Sequence, residues 1–428
     1  MDITGILALT VFIVAYGFIA AEKLNRVAVA LTGAGVMVLI GATDGEAAFF
    51  NHETGIDWNV IFLLLGMMII VSVIHKTGFF EYLAIKAIKK AKGRPKAALI
   101  YLVLLVAFAS AILDNVTTIL LAVPMTLIVC KKLNVSPVPF LLSEVFMSNI
   151  GGAATLVGDP PNIIIASRSD ISFNDFLVHM APFVLVVILV ILPVLVFMFR
   201  KELVNTEEDR QKILELNEKD YLTNIPLMKQ SLFVLTLVMI AFVAHSFLHL
   251  EPAVIALLGA GLLILISRLK PADYVQDIEW GTLTFFAGLF IMVGSLVNTG
   301  VLQKFADLLA DLIGNNTTLA ATSLLGVSAV LSGIVDNIPY VASMSPVVGE
   351  LSKSIPESAG DVLWWALAFG ADFGGNATII GASANVVAIG LAKKAGVNIS
   401  FWQFAKYGVP ITLLSVVLVI PYLLLRYL

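Results

Sequence analysis

The sequence predicts an all-α polytopic membrane protein of two inverted-topology repeats. Each repeat has five transmembrane spans, one of them broken, and a re-entrant helical hairpin. Three observations lead there: apolar runs of span length recur along almost the whole chain, the two halves match each other at a nearly constant separation, and lysine and arginine gather on one side only if the second half is turned over.

Of 428 residues, 59% are hydrophobic and 13% charged, with a mean hydropathy of +0.98. A soluble chain carries about 25% charge. The single cysteine, Cys130, excludes an intramolecular disulfide and a cysteine metal cluster. No basic, aromatic-rich face points to nucleic acid. Residues 3–20 are apolar, but no basic segment precedes them and no small-residue cleavage site follows, so they are expected to be the first span.

Apolar segments lie near 3–20, 27–42, 58–75, 97–112, 117–130, 137–168, 181–199, 231–249, 252–267, 281–298, 318–334, 338–349, 362–391 and 408–427. The charged stretch 200–229 divides them. Across it Trp58 matches Trp280, Gly66 matches Gly288, Thr77-Gly78 matches Thr299-Gly300, Asp114-Asn115 matches Asp336-Asn337, and Pro124 matches Pro346, all at a separation of 222. "GGAATLVGDPPN" (151–162) matches "GGNATIIGASAN" (374–385) at 223, and "ISFNDF" (171–176) matches "ISFWQF" (399–404) at 228. Polar and glycine identities at one separation mark an internal duplication.

Orientation follows from basic residues. If 97–130 is a hairpin turning at Asp114-Asn115, its limbs are short for spans and both its ends are basic, at Lys96 and at Lys131-Lys132. With 318–349 treated alike, each half crosses an odd number of times and the second is inverted. Both termini are then outside, and every Lys and Arg except Arg168, Lys304, Lys353 and Arg426 is cytoplasmic. The expected parts are scaffold spans and a cytoplasmic amphipathic helix (1–96), a transport part of hairpin, broken helix and last span (97–199), a cytoplasmic linker (200–229), scaffold spans with an outer amphipathic helix (230–315), and a second transport part (316–428). The expected location is the cell inner membrane, crossed many times.

In hydrocarbon every backbone N–H and C=O needs a partner, so helices break there only beside protein or a watery cavity. Each half has two such breaks: "LDNVTT" and "GGAATLVGDPPN" in the first, "VDNIPY" and "GGNATIIGASAN" in the second. Broken helices expose N–H groups suited to oxygen-rich solutes and C=O groups suited to cations. Interrupted segments at matching places in inverted halves point to a transporter's central site. The candidate solute- and ion-binding residues are Asp114, Asn115, Thr117, Thr118, Asn149, Thr155, Asp159 and Asn162 in the first half. In the second they are Asp336, Asn337, Asp372, Asn376, Thr378 and Asn385. An ionised Asp at membrane depth costs about 2.5–3.5 kcal/mol on insertion scales, so such an acid is protonated, cation-bound or wet. Asp114, Asp336 and Asp159 are the candidates for proton or cation coupling. Asp159 stands opposite Ala382, and Asp372 opposite Asn149, so the two sites differ chemically.

The strings "LDNVTTILLAVPMTL" and "SEVFMSNIGGAATLVGDPPNIIIASR" closely resemble the permease family of the pink-eyed-dilution P protein. That family belongs with ArsB arsenite permeases and NhaD-type sodium/proton antiporters in the ion transporter superfamily. The resemblance is densest over 58–182. It implies an elevator-type secondary transporter with no resident metal or cofactor, coupled to H+ or Na+, with Na+ at the hairpin tips as one form. Relatives carry Ser-Asn-Thr at these tips, where this chain has Asp114-Asn115-Val116-Thr117 and Asp336-Asn337-Ile338-Pro339. Two fixed anions there would repel a dicarboxylate unless neutralised. The expected function is proton-coupled efflux of arsenite, antimonite or a similar small inorganic solute; the alternatives are sodium/proton antiport, a P-protein-like chloride conductance, and a citrate-type symporter. The expected partners are the bilayer and that solute; a homodimer is compatible and, for an arsenite permease, so is a soluble ATPase.

Ordinary structural roles also suit several of these residues. Asp114 and Asp336 can cap the returning limbs, and Asp159 can be a turn residue before Pro160-Pro161. His245 and His249 have metal-pair spacing but sit at a span end, where packing suffices. "DFG" at 372–374 lacks the other kinase elements. Two membrane aspartates could form a protease dyad, yet no Gly-x-Gly-Asp accompanies them, so no enzyme is expected.

Overall fold

Long runs of Leu, Val, Ile and Phe must satisfy their backbone internally in lipid, and the helix does so within one segment. The computed structural model describes residues 2–21, 24–169, 171–215, 217–313, 316–353 and 361–428, all ordered here around helices. The first half comprises α1 (Ile3–Ala21), α2 (Arg26–Leu39), the short α3 (Gly45–Phe50), α4 (Trp58–His75), α5 (Phe79–Lys90), α6 (Pro95–Ile112), α7 (Asn115–Leu133), α8 (Val138–Gly152), α9 (Pro160–Arg168), α10 (Phe173–His179) and α11 (Ala181–Met198). After α12 (Glu207–Leu214), the second half comprises α13 (Ile225–Leu248), α14 (Pro252–Ser267), α15 (Trp280–Asn298), α16 (Val301–Ile313), α17 (Thr317–Ile334), α18 (Asn337–Ser352), α19 (Val362–Gly374), α20 (Ser383–Lys394) and α21 (Phe401–Tyr427). Among the described residues, nine helices are long and apolar enough to cross a membrane.

Local chemistry sets the starts. Asn25, Asp57, Asp114, Asn224, Asn316 and Asp336 accept from the first backbone amides of α2, α4, α7, α13, α17 and α18, as N-caps do. Pro95, Pro160 and Pro252 occupy first turns, where a missing N–H costs nothing.

The halves are related by a pseudo-twofold axis. α4 packs on α14 and its counterpart α15 packs on α2. A Cβ on Gly66 would stand 2.6 Å from the Ala256 carbonyl carbon, and one on Gly288 would stand 2.8 Å from that of Ala30. These crossings reveal a match the 222-residue alignment overlooks: "VALTGAGVMVLI" (29–40) against "IALLGAGLLILI" (255–266), at 226.

Contacts between loops fix the sides. The linker lies against α5, with Lys89 Nζ 2.7 Å from Glu218 Oε2 and Asn205 Nδ2 donating to Gly93 O at 3.0 Å. Gly93, at φ +64°, has its Cα against Arg210, where a side chain would collide. Lys76, at the end of α4, reaches the Asp273 carbonyl and Asp277 on this linker side. On the opposite side, Asn298 Nδ2 donates to Thr43 Oγ1 at 3.3 Å. The ends of α6–α7 therefore lie on the linker side and those of α17–α18 on the other.

The hairpin limbs are longer than the sequence suggested, at 18 and 19 residues for α6 and α7, because Pro95 and Lys131-Lys132 are included. Length alone would let them cross. Position does not: both tips bond to one carboxylate, which hairpins entering from opposite sides can do only if each stops partway.

The symmetry is not exact. Asp57 accepts from Ser167 near the end of α9, whereas its counterpart Glu279 shares a cavity with Ser383 at the start of α20. Ser167 corresponds to Gly390, which has no side chain to repeat that bond.

Candidate functional site

The broken spans are held open by hydroxyls that repeat in both halves. Thr155 Oγ1 donates to Ala111 O and Thr378 Oγ1 to Gly333 O, each at 2.6 Å. Ser110 donates to Ser148 O at 2.7 Å and Ser332 to Ala371 O at 2.6 Å. A Cβ on Gly151 would lie 2.2 Å from Ala107 O and one on Gly374 2.6 Å from Ala329 O. Only glycine lets each hairpin reach the interruption beside it. Asn162 and Asn385 donate to Thr155 O and Thr378 O across the two breaks, at 3.1 and 2.8 Å.

Asp159, 1% exposed, sits at the centre. Asn115 Nδ2, from the first hairpin tip, donates to its Oδ2 at 2.7 Å. Asn337 Nδ2, from the second, lies 3.3 Å from Oδ2 and 3.4 Å from Oδ1. Asn115 also donates to Asn149 Oδ1 at 3.2 Å. Asn149 Nδ2 in turn reaches Asn376 Oδ1 at 2.9 Å and Asn385 Oδ1 at 3.0 Å. Two tips and two breaks are thus joined in one buried network.

Asp372 is fully buried, and neither of its oxygens has a hydrogen-bond partner among the described residues. Asn115 Oδ1 and Asn162 Oδ1 are buried and unpartnered as well, with Asn162 the polar neighbour of Asp372 and Asp372 the foremost charged neighbour of Asp159. Every unpartnered atom of the cluster is an acceptor. Such a donor set suits a proton or a hard cation, which bind through carboxylate and amide oxygens, and unpaired buried carboxylates are otherwise costly.

The paired acids at the tips are elsewhere. Asp114 accepts from Thr117 N at 2.7 Å and Thr117 Oγ1 at 2.5 Å. Asp336 accepts from Ile338 N at 3.1 Å and faces Arg26 at 3.5 Å. Neither bonds to the central network. Thr118 points away from it, into a pocket beneath α5. The sequence reading missed Arg26, Ser383 and Glu144. Glu144, an acid inside "LLSEVFMSN", carried the signal that singled out Asp114.

Cavities approach from both sides. One of about 430 Å³ on the linker side is lined by Arg26, Val116, Glu279, Phe285, Asp336 and Ser383. Opposite it, one of about 340 Å³ is lined by residues including Asn59, Leu63, Ile163 and Pro252. Leu63 and Ile163 are the repeat counterparts of Phe285 and Val386, which line the first cavity.

The chain is similar to a 46 kDa membrane protein of Mycobacterium leprae, 52% identical over 425 residues and covering 99% of each. An uncharacterized transporter of Mycobacterium tuberculosis matches with the same identity and coverage. The P protein of Mus musculus is 34% identical over 96% of this chain and 59% of its own length. The crystal structure of the Alcanivorax borkumensis YdaH transporter shares the fold, with a TM-score of 0.56 and 15% identity, over 92% of this chain and 88% of that one. Residues 16–370 match the family described as citrate transporter, and the chain, a multi-pass membrane protein of the transporter class, belongs to that CitMHS family.

Proposed function

We propose that this chain is a cation-coupled secondary transporter in which Asp159 and Asp372 take the coupling H+ or Na+ and the surrounding amides take a small oxygen-rich solute. The observation that carries this reading is Asp159, one carboxylate bonded from both hairpin tips and set beside Asp372, whose oxygens lack partners. Coupling then rests on these two acids rather than on Asp114 and Asp336, whose oxygens serve caps and an ion pair. Binding of a cation neutralises the acids and lets the hairpin tips close together.

The solute class proposed first is a citrate-type carboxylate, which the family description supports. Its negative charge has to be offset by bound cations, since among the described residues no Lys or Arg bonds to the central amides. The same lack of a basic residue favours a second reading, arsenous acid, a neutral trihydroxyl solute. Inverted hairpins and broken spans with a cavity on either side support elevator motion of those parts. Basic-residue placement supports that side being cytoplasmic, with both termini outside.

The test is uptake into proteoliposomes of citrate, with and without divalent cations, of arsenite, and of sodium, under imposed proton or sodium gradients. Accumulation of citrate or arsenite against its gradient, driven by either cation, is the expected result. Current that follows an anion gradient alone would overturn coupling in favour of a channel. Sodium-for-proton exchange with no solute uptake would overturn the solute site.

A further inference from the structure

Glu144 belongs to none of the contacts above. It stands on α8 about one and a half turns before Asn149, with no exposed side-chain surface. Its Oε1 accepts from Thr126 Oγ1 on α7 at 2.6 Å. Its Oε2 has no partner among the described residues. A pocket of about 30 Å³ reaches it from between α5, α6 and α7, lined by Thr118, Thr126 and apolar side chains such as Phe80, Leu102 and Met125. About 10–15 Å³ suffices for a water. The Thr118 hydroxyl in this pocket is buried and unpartnered too.

The duplication provides an internal control. Glu144 corresponds to Leu367, and Thr126 to Val348, and both counterparts are buried. The second repeat therefore builds the same crossing from an apolar pair, so the architecture does not require the acid. A carboxyl that packing does not need, held at a cost with one oxygen free and a water-sized pocket beside it, has the properties of a titrating group. The other titratable side chain facing it is Cys130, one turn past Thr126. Among the described residues, α5 and α6 bring only apolar groups to the pocket and no other charged residue lines it.

We infer that Glu144 is a proton-binding site separate from the central cluster, exchanging one proton with water through the pocket lined by Thr126 and Thr118. The proton adds to the carboxylate oxygen and leaves by the same atom. α5 roofs the pocket, so a shift of the first hairpin against α5 opens or closes the route. This inference does not depend on which solute the central site carries.

The test is pH-difference infrared spectroscopy of the purified full chain in lipid. A carbonyl band of a neutral carboxyl should titrate, disappear in Glu144→Gln, shift its midpoint in Thr126→Val, and persist in Cys130→Ser and Asp159→Asn. The pair Glu144→Leu with Thr126→Val copies the second repeat; it should insert with the wild-type thermal midpoint and lack the band. A titrating spectrum left unchanged by both Glu144 variants, or no titrating band at any pH in the wild type, overturns the inference. A band lost only with Asp159→Asn assigns the titration to the central site instead.

Discussion

Asn337 Nδ2 lies 3.3 Å from Asp159 Oδ2 across 178 residues of chain. Asn115 holds the same oxygen at 2.7 Å. One acid of the first half thus reports the position of both hairpin tips, and its repeat counterpart, Ala382, cannot do the same. The architecture is symmetric while the charge is not, which is what a carrier needs if solute and coupling ion occupy different places.

Asp159→Asn keeps the shape and removes the charge. Cation-driven uptake should fall at least about tenfold, equivalent to ~1.4 kcal/mol, while insertion and solute exchange without a gradient persist. Asp114→Asn is the comparison, because Asn caps as well as Asp and should leave the gradient dependence intact. Equal loss in both variants would return coupling to the tip acids.

Asp372→Asn copies Asn149, the residue at the matching place in the first repeat. Its two unpartnered oxygens become one amide that can both donate and accept. Uptake should then depend on one fewer coupling cation, read as a lower order in the cation titration. An unchanged order would remove Asp372 from the coupling set.

The sequence made legible whatever the duplication preserved at one separation: both hairpins, both breaks and the inversion. The α2–α14 match escaped because a small length change moves it from 222 to 226. Within the site, sequence reasoning favours Asp over Asn as the bearer of chemistry, and so ranked Asp114 above Asn115. In the structure it is Asn115 that bonds to Asp159, while Asp114 bonds to Thr117. A residue at an N-cap folds its side chain back onto the next turn's amides, while the following residue projects about 100° further round, and here that direction is inward. No one-dimensional pattern shows which face of a hairpin tip meets its twin.

Gly66 and Gly288 should be equally intolerant, because each stands under 3 Å from a neighbouring backbone once a Cβ is added. Gly66→Val and Gly288→Val should each cost about 1–3 kcal/mol through overpacking, seen as a lower thermal midpoint in detergent. Gly35→Val, where the space is open, should cost little. A large difference between the first two would contradict the pseudo-twofold packing of α4 on α14 and α15 on α2.

Lys89 donates to Glu218 at 2.7 Å and thereby holds that carboxyl below the usual range. A carboxyl depressed in the folded state stabilises above its unfolded value, about 4.3 for Glu, and that contribution is lost as pH falls through the folded value. Acidification should therefore release the linker from α5. Protease cleavage within 200–224 should rise as pH drops below the ordinary carboxylate range, and Lys89→Gln should make cleavage high at neutral pH and flatten the profile. Cleavage independent of pH in the wild type would show that packing at Gly93 and Arg210, rather than this pair, holds the linker.

Arg26 binds the second hairpin to the frame: it donates to Ser383 Oγ at 2.8 Å and lies 3.5 Å from Asp336 Oδ2. Its counterpart at 226 is Pro252, so no cation waits at the matching end of α14. The pair therefore favours the arrangement seen here, with Asp336 and Ser383 against the start of α2. Half-exposed ion pairs contribute up to about 1 kcal/mol, enough to change a two-state ratio by up to about fivefold. In a Cys130→Ser background, Arg26→Gln should slow labelling of Val386→Cys from the linker side and speed labelling of Ile163→Cys from the opposite side, by up to that factor. The two rates should move in opposite directions, since one displacement hides one site and bares the other. If both rise together, the substitution has loosened the fold, and Arg26 does not set its resting position.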